Sequence, residues 1–206
     1  MKISIGTKIK NGPWGGGNLF AINLMNYLKS KNHIVVNNLD DEDIDIILLT
    51  EPRKTSESSA FTHIDVRNYL DYVKKDTLVI HRINECDERK GTNYVNKYLI
   101  SANKFADHSI FVSTWLKNLY SSQGMENENS TIIYAGADSS IFNNEGHTPW
   151  NQKDKLKIVT HHWGANWNKG FDVYQKLDEM LYNERWKNKI EFTYIGNLPK
   201  NFKFNN

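Results

Sequence analysis

Apolar runs alternating with helical stripes constrain this chain more than any other feature. Short runs rich in Ile, Val and Leu occur at Lys2–Thr7, Ile34–Asn37, Asp45–Thr50, Thr77–His81, His108–Val112 and Thr131–Tyr134. Helical patterns lie among them at Asn18–Ser30, Ile64–Lys74, Thr92–Ala106 and Ser113–Ser122. Within the first of these, Phe20, Leu24, Tyr27 and Leu28 fall on one stripe, the spacing of a helix with one buried face. Near-continuous apolar strands separated by helices need cover on both faces. The pattern therefore predicts an α/β fold, a Rossmann-like parallel sheet with helices on both faces.

The sixth run leads into Ala135-Gly136-Ala137-Asp138 and then Phe142. It reads as a buried strand stopped by a small-residue turn and followed by an anchoring aromatic. Residues 143–155 are polar and include Gly146 and Pro149, the composition of a linker. Beyond it come a strand at Lys157–Thr160, a helix at Phe171–Leu181 and a strand at Ile190–Ile195. The expected organisation is a Rossmann-like domain over 1–142, a linker over 143–155 and part of a second Rossmann-like domain over 156–206. A single β-α-β unit buries too little surface to stand alone. Either it docks onto the first domain or the chain is a truncated piece of a longer protein.

The formal net charge of +2 is unevenly spread. Residues 1–150 carry 16 basic and 18 acidic side chains, whereas 151–206 carry 10 basic and 6 acidic. The second segment suits a phosphate-bearing ligand, while the near-neutral total predicts no nucleic-acid partner. Cys86 is the single cysteine, so no intramolecular disulfide forms, and a reducing, cytoplasmic setting is expected. No apolar run approaches membrane-spanning length, and Met1–Ile5 reads as a strand rather than a signal peptide. The expectation is no transmembrane segment, with peripheral membrane contact still compatible. The chain contains no G-x-S-x-G elbow, no H-E-x-x-H pair and no pair of cysteines, which removes the corresponding hydrolase and metal chemistries.

Three segments carry candidate chemistry. Gly12-Pro13-Trp14-Gly15-Gly16-Gly17-Asn18 lies between the first strand and the first helix. Gly15, Gly16 and Gly17 allow close backbone approach and aim N–H groups at an anion, with Asn18 as helix cap. The plain alternative is a tight turn. Next, Leu78–Glu85 delivers His81 and Arg82 at a strand end, where open α/β sheets place ligands. The imidazole suits a sugar hydroxyl and the guanidinium suits a phosphate. Their plain alternatives are a structural histidine and a surface charge, and Glu85, Asp87, Glu88, Arg89 and Lys90 read as a solvated loop. Finally, Lys169-Gly170 opens a helix, a good position to meet a pyrophosphate. The adjacent His161 and His162 project from a strand to opposite faces and make a poor chelate, so no metal is expected.

In chain order, the glycine-rich first loop, the strand-end His81, the segment Ile132–Phe142, the Lys169-Gly170 pair and the turn Gly196–Pro199 resemble the family-4 retaining glycosyltransferases of GT-B architecture. Ala135 stands where that family has Asn. The resemblance covers nearly all of the chain but about the first half of a complete enzyme. It implies transfer of a sugar from a nucleotide-diphosphate sugar to a saccharide, lipid or protein acceptor with retention of configuration. His81 would contact the transferred sugar. Gly15, Gly16 and Gly17 would lie near the diphosphate or acceptor together with Asn18 and Arg82, and Lys169 and Gly170 would hold the donor's diphosphate. No metal or other cofactor is implied, because protein cations and helix N-termini take the leaving-group charge. The family's Arg is absent from the Lys-Gly loop, leaving His161, His162 or Asn166 as substitutes, and the family's later pair of glutamates has no counterpart. Weak donor binding and no robust transfer by this chain alone are therefore expected. Two other readings stand beside it. One is a non-catalytic glycan- or partner-binding module derived from such an enzyme. The other is a nucleotide-binding oxidoreductase using Asp40, disfavoured by the glycine spacing.

Overall fold

The computed structural model describes residues 1–12, 14–126 and 128–205. Pro13 of the glycine-rich loop, Asn127 of the connection 124–130 and the terminal Asn206 lie outside the described residues. The chain divides into two compact units, Met1–Gly136 and Ala137–Asn206.

In the first unit the order is β1 (Lys2–Ile5), α1 (Gly16–Ser30), β2 (Ile34–Val36), β3 (Ile46–Leu49), α2 (His63–Tyr72) and β4 (Leu78–Ile83), then α3 (Asp87–Lys90), α4 (Val95–Asn103), β5 (His108–Phe111), α5 (Thr114–Ser122) and β6 (Ser130–Ile132). The six strands pair in parallel in the order β2-β1-β3-β4-β5-β6. Side chains alternate across each strand, and the core divides accordingly. Ile47, Leu49 and Val79 pack with Val66 and Tyr69 of α2 and Ala102 of α4. Ile5, Leu48 and Ile80 face Ala21, Phe20 and Leu24 of α1. Ile83 and Phe111 complete the core with Leu99, Leu116 and Tyr120 of α4 and α5. The expected Rossmann-like sheet with helices on both faces is the observed fold.

Strand order positions the site. From β1 the chain goes to one side to make β2 and then returns to the other side to make β3. Connections that diverge in this way leave a crevice outside the C-terminal strand ends.

Two local expectations change. The sixth run is an edge strand rather than a buried one: among the described residues β6 pairs only with β5, Thr131 is exposed, and so are Ile133 and Tyr134 beyond it. The charge run after β4 is not a solvated loop, because Asp87 is a structural hub. Its carboxylate accepts from the Thr92 hydroxyl and from the backbone N–H groups of Tyr94, Val95 and Asn96, capping α4 from outside that helix. Desolvation pushes the Asp87 carboxyl up, but these hydrogen bonds together outweigh it and hold the group below its ordinary value. Replacing Asp87 with alanine orphans three N–H groups at once. It is expected to cost about 2 kcal/mol, read as a lower urea midpoint with unchanged slope.

The second unit contains β7 (Leu156–His162), α6 (Phe171–Leu181), α7 (Glu184–Lys187) and β8 (Ile190–Gly196), with β7 and β8 parallel. A 3₁₀ turn at Trp167–Lys169 precedes α6. The core of this unit is aromatic. Phe171 and Tyr174 of α6 meet Phe192 and Tyr194 of β8, and Phe202 and Phe204 fold back onto them. The opposite sheet face carries Val159 and Ile195, 60% and 58% exposed. Phe142, expected to be an anchor, is 71% exposed, and Asp138 instead organises a local turn through the Ser140 N–H and hydroxyl. No described helix is long and apolar enough to cross a membrane.

Candidate functional site

A cleft of about 340 Å³ opens at the switch point of the first sheet. Three segments that follow C-terminal strand ends line it: the loop after β1, from Thr7 to Asn18; the loop after β3, from Thr50 to Ser58; and the end of β4 with its continuation to Lys90. The first two are tied together by a Thr7–Ser59 antiparallel bridge and by Thr7 and Thr50, whose hydroxyls lie 2.7 Å apart. Asn37 donates to the carbonyls of Ile5 and Thr7 and fixes the end of β1.

The charges in the cleft sort into pairs and remainders. Arg53 binds Glu51 bidentately at 2.6 and 2.5 Å, Lys10 meets Glu57 at 3.0 Å, and Lys90 meets Glu85 at 2.8 Å. Lys8 and Arg82 line the same cleft without an ion pair among the described residues. The Arg82 guanidinium is half-buried and stacks 3.8 Å from the centre of the Phe20 ring. Desolvation lowers its pKa from the ordinary value, and no carboxylate opposes that.

His81 does not reach this cleft. β4 runs on to Ile83, so His81 and Arg82 are consecutive strand residues and project to opposite faces of the sheet. Arg82 points to the α1 face, over Phe20. His81 points to the α2/α4 face, where it is fully buried and bonded through Nδ1 to Oδ1 of Asn103 at 3.0 Å. That oxygen also accepts from the Ser109 hydroxyl. A carbonyl oxygen only accepts, so the imidazole proton sits on Nδ1, and Nε2 is buried without a hydrogen-bond partner among the described residues. Burial lowers the His81 pKa to about 4, leaving a neutral ring at physiological pH. The contact with a transferred sugar expected of His81 is thus not available from this position in the first unit.

The glycine-rich segment behaves differently from a cap. Helix α1 starts at Gly16 with Gly15 before it at φ 85°, and no side chain caps it. Asn18, expected to be the cap, is the third helical residue, and its amide is taken up by the N–H and carbonyl of Lys10 at 2.9 and 2.8 Å. Gly16 and Gly17 are exposed, and a Cβ at either would meet open space. Neither φ nor packing demands glycine at these two helical positions, although glycine there costs about 1 kcal/mol relative to alanine.

In the second unit, Lys169 ends the exposed 3₁₀ turn and Gly170, at φ 89°, stands at the N-cap position immediately before α6. Of the substitutes for the missing Arg, His162 is bonded to the Tyr174 hydroxyl at 2.7 Å and the Asn166 side chain accepts from the Asn168 N–H. His161 is exposed at the end of β7. Sequence reasoning missed Lys8, Lys10, Glu51, Arg53 and the Thr7–Thr50 pair, because their proximity comes from strand order. The divergence of His81 and Arg82 did carry a signal: Val79, His81 and Ile83 alternate with Ile80 and Arg82 as one strand face against the other.

No protein-family model matches the chain, and no curated protein matches it. Solved structures do. One is an alpha-glucosyltransferase in complex with UDP and a 13-mer DNA containing an HMU base, with TM-score 0.57 and 15% identity over 96% of this chain and 57% of that one. Another is an alpha-glucosyltransferase in complex with UDP, with TM-score 0.52 and 13% identity over 97% of this chain and 59% of that one. The chain thus spans less than three fifths of the length of these structures. The expectation of no nucleic-acid partner is corrected by the first of them, since a protein of similar fold was solved with DNA. Net charge was a poor guide because phosphate contacts depend on local cations rather than on the total. At these identities the likeness is one of fold, and that fold is glycosyltransferase-like.

Proposed function

We propose that this chain supplies the acceptor-side domain, over 1–142, and the opening β-α-β of the donor-side domain, over 156–206, of a retaining glycosyltransferase of family 4 with GT-B architecture. The transferred sugar comes from a nucleotide-diphosphate sugar. The observation that carries the reading is the cleft at the switch point of a glycosyltransferase-like sheet, lined by three loops from C-terminal strand ends. Gly17, Asn18 and Arg82 line it and, with the neighbouring Gly15 and Gly16, serve the substrate, and Lys169 with Gly170 serves the donor's diphosphate. UDP-sugars head the donor panel and DNA joins the saccharide, lipid and protein acceptors, both on the strength of the similar structures. The burial of His81 favours a second reading, the non-catalytic binding module.

Calorimetry with nucleotide-diphosphate sugars and with free glycans separates the two. Saturable nucleotide-sugar binding, however weak, supports the transferase piece, whereas glycan binding with no nucleotide-sugar binding supports the module. Gly16→Ala and Gly17→Ala sharpen the test. Each is expected to raise stability by about 0.4–1 kcal/mol, since alanine suits a helix and meets no neighbour. Each is also expected to weaken ligand binding, since the added methyl stands where the backbone would meet the ligand. Unchanged binding in both variants would remove the glycine loop from the site.

A further inference from the structure

We propose that Arg82 and Lys8 form a phosphate-binding subsite contained wholly in the cleft of the first unit. The inference deepens the glycosyltransferase reading and rests on it for the idea that the cleft takes substrate. Five cations line the cleft, and three of them already have carboxylate partners there. The two left over define a local excess of two positive charges. Surface lysines often lack partners, but Arg82 is a different case. It is half-buried, fixed over Phe20 at 3.8 Å, and has no hydrogen-bond or ion-pair partner among the described residues. Leaving a guanidinium partly desolvated and unpaired is unfavourable, and a docking anion reverses that cost. A phosphate monoester or diphosphate carries close to two charges at neutral pH and matches the excess, whereas a neutral sugar or a single carboxylate does not. The planar fork of arginine adds bidentate geometry. Such a phosphate has two sources, the donor's diphosphate and a phosphate borne by the acceptor.

The test uses the full chain labelled with ¹⁵N arginine. Titration with inorganic phosphate is expected to move the Arg82 Nε–Hε resonance in a saturable manner and leave the bidentate Arg53 resonance in place. Arg82→Gln is expected to weaken phosphate binding at least about tenfold, Arg82→Lys by less, and Lys157→Gln, in the second unit, not at all. An unmoved Arg82 resonance in the unaltered protein overturns the proposal whether or not the variants fold, as does unchanged affinity in a folded Arg82→Gln protein. UDP and glucose 6-phosphate then identify the source: displacement by UDP alone assigns the donor, and displacement by the sugar phosphate alone assigns the acceptor. Phosphate binding that depends on Arg82 in a chain that binds no nucleotide sugar sinks only the transferase reading. Nucleotide-sugar binding without such phosphate binding sinks only this subsite.

Discussion

Replacing Gly196 with alanine is expected to unfold the second unit and leave the first one folded. Gly196 ends β8 at φ 136°, beside the last paired residue of β7. A Cβ there would lie 2.0 Å from the carbonyl oxygen of His162 and 2.9 Å from its carbonyl carbon. Both are backbone atoms in the ladder, so no side-chain rotation relieves the contact. The penalty exceeds about 2 kcal/mol when the clash is added to the backbone strain. This unit has little reserve: Phe171 and Leu181 are its only large apolar side chains in the buried core among the described residues. Amide hydrogen exchange across the chain reads the outcome residue by residue. Protection retained in β7, β8 and α6 of the variant would refute the expectation.

Lowering the pH from 7 to 4 is expected to cost the first unit about 3 kcal/mol through His81 alone. Burial holds the folded pKa near 4, against an ordinary value of 6.5. Between these values the unfolded chain takes up a proton that the folded one refuses, so stability falls as the pH falls through that window. At about 1.4 kcal/mol for each tenfold difference in proton affinity, the loss reaches about 3 kcal/mol near pH 4. Burial also depresses the His63 pKa, and that ring adds loss of the same sign. Urea unfolding at pH 7, 5.5 and 4.5 measures the slope. The His81→Gln variant keeps an amide donor for Asn103 and has nothing to titrate, so its slope should be shallower. Equal slopes in the two proteins would show that His81 is not the group responsible.

Both predictions turn on features that were only partly visible in the sequence. The strands and helices were visible because strand and helix formation follow local periodicity, and each expected strand of the first unit lies within a few residues of an observed one. The helix at Phe171–Leu181 matches residue for residue. Short elements escaped. Asp87–Lys90 and Glu184–Lys187 are single helical turns, too brief to show a period. The aromatic tail at Phe202 and Phe204 escaped as well, since nothing local says that it folds back.

The candidate site divides along the same line. By itself the sequence determined that the chain is an α/β protein of parallel strands, that a glycine-rich loop follows the first of them, and that His81 and Arg82 occupy the fourth. These follow from neighbouring residues, whose spacing sets backbone conformation and the alternation of faces. Only the tertiary structure decided that β1 sits between β2 and β3, that the cleft therefore opens beside β1, and that Arg53, Lys10 and Lys90 find carboxylates while Lys8 and Arg82 do not. It also decided that His81 faces Asn103 in the core. Those outcomes depend on which strands lie side by side, and strand pairing is a contest among long-range packings that no local spacing encodes.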